Sequence, residues 1–340
     1  MAEREAGFVV AVAGATGAVG GVLLRVLEER NFPVRELRPL ASERSAGSTV
    51  SFRNVDIEVE VARPESFENT DFVFFAATGS LSKTLAPEVV KRGGIAIDKS
   101  STWRMHDDVP LVVPEVNGDA LEGHKGLIAC PNCTTIGFVM ALEPLRRRAG
   151  LERVVVTTLQ AVSGAGRPGL EELERQQAAI REGRQAPDPK TFVAQIADNV
   201  VPLCDVLGDD GYSGEETKLL HETRKILSLP DLPVSTTCVR VPVPIGHSAS
   251  ILVHTERALS VAEAEAALAA FPGVEVVAEN GRVPTPIDVV GRDQVLVGRV
   301  RKDLHSEGLW LFQVSDNLRK GAATNAVQIA EEILRRKLLH

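Results

Sequence analysis

The chain has 340 residues, 44% of them hydrophobic, which suits two packed domains and excludes a disordered chain. Lys plus Arg total 38 and Asp plus Glu 46, a net charge of −8 that argues against a general nucleic-acid or acidic-membrane surface. The cysteines, Cys130, Cys133, Cys204 and Cys238, lack the spacing of a secreted disulfide framework, and the first residues show no apolar signal core. The uncharged run Gly7 to Leu24 is interrupted by Gly14, Gly17, Gly20 and Gly21, so it reads as strand, turn and helix rather than a membrane span. A cytoplasmic location is expected.

Phe8 to Ala13 is a continuous apolar run, the pattern of a strand buried on both faces. A glycine loop follows, and Val19 to Glu29 reads as helix, with Val22, Leu23, Val26 and Leu27 on one face. Strands are expected at Val34 to Ala41, Asp71 to Ala77 and Ile95 to Asp98, with a helix at Lys83 to Arg92. This alternation implies an α/β, Rossmann-type doubly wound parallel sheet. After about residue 150 the pattern changes. Strands are expected at Arg153 to Gln160, Ser235 to Val243, Ser248 to Thr255, Gln294 to Arg301 and Leu309 to Val314, and helices at Gly169 to Glu182 and Glu215 to Leu227. This half reads as a second, α+β domain with an antiparallel or mixed sheet, one face under helices and the other free as a dimer surface. A long helix, Ala322 to Leu339, closes the chain.

Cys133 follows Cys130-Pro131-Asn132 and begins an apolar helical pattern. A thiol at a helix N-terminus feels the positive end of the macrodipole, which favours the nucleophilic thiolate. A zinc site would need further nearby ligands, and a redox pair would need a thioredoxin-like surround; neither is present. Cys204 and Cys238 read as core residues. His247 differs from the other histidines, because Pro242, Pro244 and Gly246 break the strand around it and present it at a bend with Arg240. The loop Gly14-Ala15-Thr16-Gly17-Ala18-Val19-Gly20, set between strand and helix, lets the backbone approach a pyrophosphate. After the second strand, Glu43 offers the acid that accepts the ribose hydroxyls of NAD. Arg44, between Ser42 and Ser45, offers the cradle for the 2′-phosphate of NADP. The flanking serines favour NADP, and the Glu43 carboxylate opposes it.

Seven ordered stretches carry a family likeness over nearly the whole chain. They are residues 14–20, Val-Pro-Leu-Val-Val-Pro-Glu-Val-Asn at 109–117, Pro-Asn-Cys-Thr-Thr-Ile at 131–136 and Gln-Ala-Val-Ser-Gly-Ala-Gly at 160–166, then 210–218, 284–293 and 315–323. The sequence resembles the aspartate-semialdehyde dehydrogenases. The resemblance implies a Rossmann domain over 1–132, completed by a C-terminal helix at 318–340, and a catalytic and dimerisation domain over 133–317. It implies Cys133 as nucleophile, His247 as general acid/base and Gln160 as the residue that orients an acyl-enzyme. Arg240 would bind the substrate carboxylate, Glu215 its amine, with Asn132 orienting it, and Arg104 and Lys218 would hold inorganic phosphate. Gly14, Thr16, Gly17, Ala18, Val19, Ser42, Arg44, Ser45, Ser163, Gly164 and Asn325 would contact NADP. No metal, nucleic acid or membrane partner is implied, and a homodimer is expected.

The expected reaction is reversible reductive dephosphorylation of L-4-aspartyl phosphate through a Cys133 thioester, in lysine, threonine and methionine biosynthesis. The alternatives are a sibling acyl-phosphate reductase, such as N-acetyl-glutamyl-phosphate reductase, and a non-catalytic NADP-binding regulator. Glu215 argues against the sibling, whose substrate has no charged amine. Thr78, Lys99 and Gly137 depart from the residues usual in the family, Gly, Asn and Gln.

Overall fold

The computed structural model describes residues 7–278 and 281–339. Residues up to Asn132, together with those from Ala322 onward, form one compact unit; Cys133–Gly321 form another.

The first unit begins with β1 (Phe8–Ala13), α1 (Ala18–Glu29) and β2 (Val34–Ala41), followed by β3 (Thr49–Phe52), β4 (Val55–Glu58) and β5 (Glu60–Val61). It continues through β6 (Phe72–Phe75), α2 (Gly79–Lys91), β7 (Ile95–Asp98), the short α3 (Pro114–Asn117) and β8 (Leu127–Ala129). Among the described residues its main sheet runs β5-β2-β1-β6-β7-β8, parallel throughout. Every residue of β1, β6 and β7 is buried; β1 and β6 are unbroken apolar runs, and β7 is apolar up to its last residue, Asp98. Phe67, Val73, Phe75, Leu85 and Val89 pack into one cluster, and each fully buried side chain of this size contributes about 1.5–3 kcal/mol. The hairpin β3–β4 was not expected. Its turn residues Arg53 and Asn54 have φ of 51° and 62°, the left-handed geometry of a type I′ turn, without the glycine that advertises one. Helix α2 begins at Gly79, a turn before the expected start.

The second unit contains α4 (Cys133–Ala149), β9 (Arg153–Gln160), α5 (Gly166–Arg181), α6 (Gly214–Leu227), β10 (Val234–Arg240) and β11 (His247–His254). After these come α7 (Val261–Ala269), β12 (Val274–Val277), the short α8 (Pro286–Val289), β13 (Val295–Lys302) and β14 (Leu309–Ser315). The sheet order is β10-β9-β11-β14-β13-β12. It is mixed: β10·β9 and β12·β13 are parallel, the other pairs antiparallel. Strand β12 was not expected; it is short and lies at the sheet edge. Helices α4, α6 and α7 pack on this sheet. The β9 residues that alternate with the covered ones, Val155, Thr157 and Leu159, stay half-buried, as do Leu252 of β11 and Trp310 and Phe312 of β14. The pleat explains this, since successive side chains point to opposite faces.

The chain then returns to the first unit as α9 (Thr324–Arg336). The expected closing helix is preceded by a π-helical turn at Arg319–Ala323 and ends at Arg336, where Lys337 adopts a left-handed cap.

Candidate active site

Helix α4 starts at Cys133, and Arg146, Arg147 and Arg148 occupy its last turn, each end matching the macrodipole. Glu143, fully buried, accepts hydrogen bonds from Arg146 and Arg147, which satisfies a charge the core would otherwise penalise. The Cys133 sulfur lies 3.3 Å from Nε2 of His247. On the other side of that ring, Nδ1 accepts the backbone N–H of Ala161 at 3.0 Å. An acceptor at Nδ1 leaves the proton of the neutral imidazole on Nε2, facing the sulfur.

Sheet register brings the partners together. In β10·β9, Arg240 pairs with Gln160; in β11·β9, Ser248 pairs with Leu159, so His247 falls beside Gln160. The strand order β10-β9-β11 therefore aligns Arg240, Gln160 and His247 at one end of the sheet, all buried. Gln160 donates to Oγ1 of Thr158 at 3.3 Å. The Arg240 Nη1 donates to the carbonyl of Ala161 at 2.8 Å, its guanidinium lies 5.8 Å from the Phe192 ring, and its Nε is buried with no protein partner. A buried, unsatisfied donor on a guanidinium fits a ligand carboxylate. Gly164 lies between these groups: a Cβ there would stand 2.6 Å from Arg240 Nη1 and 3.2 Å from His247 Nε2.

A cavity of about 800 Å³ opens beside Gly164 and Arg240, with Phe192, Cys204, Asp205, Glu215 and Lys218 also in its wall. Helix α6 supplies Glu215 and Lys218 from its first turns. Its start is fixed by a capping box between Ser213 and Glu216, and Glu216 also accepts the N–H of Cys238 on β10. Glu215 is buried and approached at 3.5 Å by the Thr134 hydroxyl. The Lys218 ammonium lies 2.5 Å from Asp205 and 3.4 Å from Glu215. Burial pushes the Asp205 carboxyl up, but the Lys218 hydrogen bond and charge outweigh it and hold the group below the usual carboxylate range. Cys204 and Cys238 are buried, and burial pushes both thiols up, that of Cys204 to about 12. Cys133 is half-buried, which sets it apart.

In the first unit, the β1–α1 turn holds Gly14, Thr16, Gly17, Ala18 and Val19. Gly14 has φ +90° and a Cβ there would meet the Ala76 carbonyl at 2.5 Å, so the turn admits only glycine. Gly17 heads α1 with no side-chain cap, leaving first-turn N–H groups without one, as a pyrophosphate site requires. These features fit a dinucleotide. Gly14 and Ala15 both donate to the carbonyl of Leu40, which ties this turn to the end of β2, where Ser42, Glu43 and Arg44 are exposed and Ser45 half-buried. Arg104 is buried, donating from Nε to the carbonyl of Cys130 and from Nη2 to that of Lys99. Asn325 is fully buried and donates to Val112 and to the Cys130 sulfur. Asn132 is buried as well.

Comparison with known proteins shows the family. A family model described as semialdehyde dehydrogenase, NAD binding domain, matches residues 9–124, and one described as semialdehyde dehydrogenase, dimerisation domain, matches 142–320. The aspartate-semialdehyde dehydrogenase of Aquifex aeolicus is 50% identical, covering 98% of this chain and 100% of the relative. That of Bacillus subtilis is 47% identical over 98% and 99%. The chain belongs to the aspartate-semialdehyde dehydrogenase family. Among solved structures, aspartate semialdehyde dehydrogenase II complexed with ASA from Vibrio cholerae superposes with a TM-score of 0.94 at 44% identity, covering 97% of this chain and 98% of that one. The aspartate semialdehyde dehydrogenase with NADP from Candida albicans gives 0.75 at 27% identity, over 96% and 98%. Members of this semialdehyde dehydrogenase family are oxidoreductases with an NAD(P)-binding domain, and both statements hold for this chain.

Two of the departures from the family pattern take defined places in the fold. At Gly137, one turn into α4, a Cβ would meet the Gln313 amide and the Ser315 hydroxyl, each at 2.6 Å, so these two side chains would have to move to admit one. Thr78 precedes α2 in extended conformation and pairs with the Ser80 hydroxyl. Three residues of the site were not singled out from the sequence, although Asn317 lies within the 315–323 stretch. Asn317 exchanges hydrogen bonds with Ser163 and accepts the N–H of Gly246, bracing the turn before His247. Phe192 and Asp205 lie in a stretch without regular periodicity, and only the fold carries them to Arg240 and Lys218. Among the described residues no cluster of His, Cys, Asp or Glu could hold a metal ion, and no helix is long and apolar enough to cross a membrane.

Proposed function

We propose that this protein catalyses the reversible NADP-dependent reductive dephosphorylation of L-4-aspartyl phosphate to L-aspartate 4-semialdehyde and phosphate. The approach of the Cys133 sulfur to His247 Nε2, at the head of α4, carries the reading. In the oxidative direction the Cys133 thiol releases its proton to solvent and the thiolate attacks the aldehyde carbon; Nε2–H of His247 keeps its proton and hydrogen-bonds first to the thiolate and then to the oxyanion, which can release hydride as its C=O bond re-forms. When bound, the dinucleotide supplies the hydride acceptor for this adduct. Cys133 is left as a thioester; phosphate adds to its carbonyl, and the sulfur departs as thiolate with the acyl phosphate released. Sulfur serves both halves because it is a nucleophile and a good leaving group.

Arg240 receives the α-carboxylate through its planar fork, Glu215 pairs with the ammonium, and Asn132 and Gln160 orient the acyl group. Arg104 and Lys218 hold phosphate. When a dinucleotide binds, the glycine turn would hold its pyrophosphate, Ser42, Arg44 and Ser45 would hold the 2′-phosphate, and Ser163, Gly164 and Asn325 would serve the nicotinamide end. The half-buried face of the second sheet, with Leu159, Leu252, Trp310 and Phe312, joins two copies as a homodimer. The metabolic setting is lysine, threonine and methionine biosynthesis.

The experiment is cofactor reduction by aspartate semialdehyde with and without phosphate, using NADP and NAD in parallel. Phosphate-dependent turnover, abolished in Cys133→Ala, supports the reading. Phosphate-independent turnover, or full activity in Cys133→Ala, overturns it.

A further inference from the structure

We infer that Asp205 is a positioning residue that parks the Lys218 ammonium and thereby sets the affinity of the site for phosphate. The inference rests on the proposed role of Lys218 as a phosphate ligand.

In the structure Lys218 Nζ lies 2.5 Å from Asp205 Oδ2 and 3.4 Å from Glu215 Oε2. Lys218 is thus engaged by two carboxylates, and with Arg240 in the same wall the four charges balance, so a phosphate dianion must compete with Asp205 and Glu215 for the ammonium. Asp205 holds its place by means independent of Lys218. Its backbone is left-handed, with φ +70°, and its Oδ1 accepts the N–H of Val206 at 2.9 Å. Gly214, the first residue of α6, donates to the Val206 carbonyl at 2.8 Å. A Cβ on Gly214 would stand 2.7 Å from Asp205 Oδ2, so the absence of a side chain there makes room for the carboxylate. The loop and the helix start are thus built around this oxygen, on the helix that carries both Glu215 and Lys218.

The arrangement orders the reaction. A substrate ammonium seated at Glu215 neutralises one of the two carboxylates on Lys218. Phosphate then competes with Asp205 for the ammonium. Free anions are held off until the carbon substrate has bound.

The test is Asp205→Asn, measured as the phosphate KM in the oxidative direction. Asparagine tolerates the left-handed backbone and keeps an Oδ1 acceptor for Val206, while removing the charge. The phosphate KM is expected to fall about 3- to 10-fold. The semialdehyde KM and the phosphate-free burst of cofactor reduction are expected to stay within about twofold, which a general loosening of the fold would not allow. An unchanged or raised phosphate KM overturns the inference. Gly214→Ala is the second variant: its methyl displaces the Asp205 carboxylate without changing charge and should lower the same KM. Lys218→Met separates the two levels of argument. If it leaves the phosphate KM unchanged, Lys218 does not hold phosphate and the underlying reading fails. If it raises the KM while Asp205→Asn does not lower it, only the role of Asp205 fails.

Discussion

The backbone N–H of Ala161 donates to Nδ1 of His247 at 3.0 Å, so the ring presents Nε2–H to the Cys133 sulfur. In the proposed mechanism this donor makes His247 responsible for the reactivity of the thiol as well as for turnover. His247→Ala is expected to reduce kcat by about 10²- to 10⁴-fold and to slow alkylation of Cys133 at neutral pH. Peptide mass spectrometry after brief iodoacetamide treatment reads the second effect. In the unmodified protein, Cys133 should label well before Cys204, whose thiol burial pushes up to about 12.

Gly164 leaves the space that Arg240 and His247 share. In Gly164→Ala the new methyl would stand 2.6 Å from Arg240 Nη1, and that end of the side chain must move. The expected result is a semialdehyde KM raised about tenfold, with a thermal midpoint shifted by no more than a few degrees. Steady-state kinetics beside a melting curve checks both.

Gly137→Gln restores the residue usual in the family and should destabilise this fold. Its Cβ would meet Gln313 and Ser315 at 2.6 Å inside a packed interface of α4 with β14. A loss of about 1–3 kcal/mol in urea-unfolding free energy is expected.

The proposed role of Arg44 predicts a change of cofactor preference on its loss. Arg44→Ala should raise the KM for NADP at least tenfold and leave that for NAD nearly unchanged, since a lost charge-assisted contact costs about 1.5–3 kcal/mol. Glu43→Ala should move the NADP KM the other way. Kinetics with both cofactors measures the ratio.

Glu332 gives the first unit a defined acid sensitivity. The Arg335 hydrogen bond holds its carboxyl down at about 2, with Arg336 reinforcing and burial opposing. A folded-state value below the ordinary one of about 4.3 stabilises the fold above that pH, and the contribution fades as pH falls toward 2. Arg335 is largely exposed, so Glu332→Gln should cost only about 1 kcal/mol at pH 7, with the difference from the parent protein shrinking between about pH 4.5 and pH 2. Urea unfolding at pH 7, 4 and 3 would show it.

The sequence by itself determined what local periodicity can carry. The apolar run of β1, the glycine turn and the stripe of α1 specify a parallel nucleotide-binding unit, because buried strands and amphipathic helices each impose their own spacing of apolar residues. The start of α4 at Cys133 was equally legible, and so was the bend that frees Arg240 and His247. Short edge elements were not: β12 and the β3–β4 hairpin are too brief, and too exposed in the hairpin, to leave a pattern. The tertiary structure alone decided which distant residues meet. Pairing of β9 with both β10 and β11 sets Gln160 beside Arg240 and His247, 80 and 87 positions away, and no window along the chain contains that register. Likewise Phe192 reaches Arg240, and Asp205 reaches Lys218, from segments with no period of their own. The chemistry of each group is written in its residue type; the distance between groups is a property of the folded sheet.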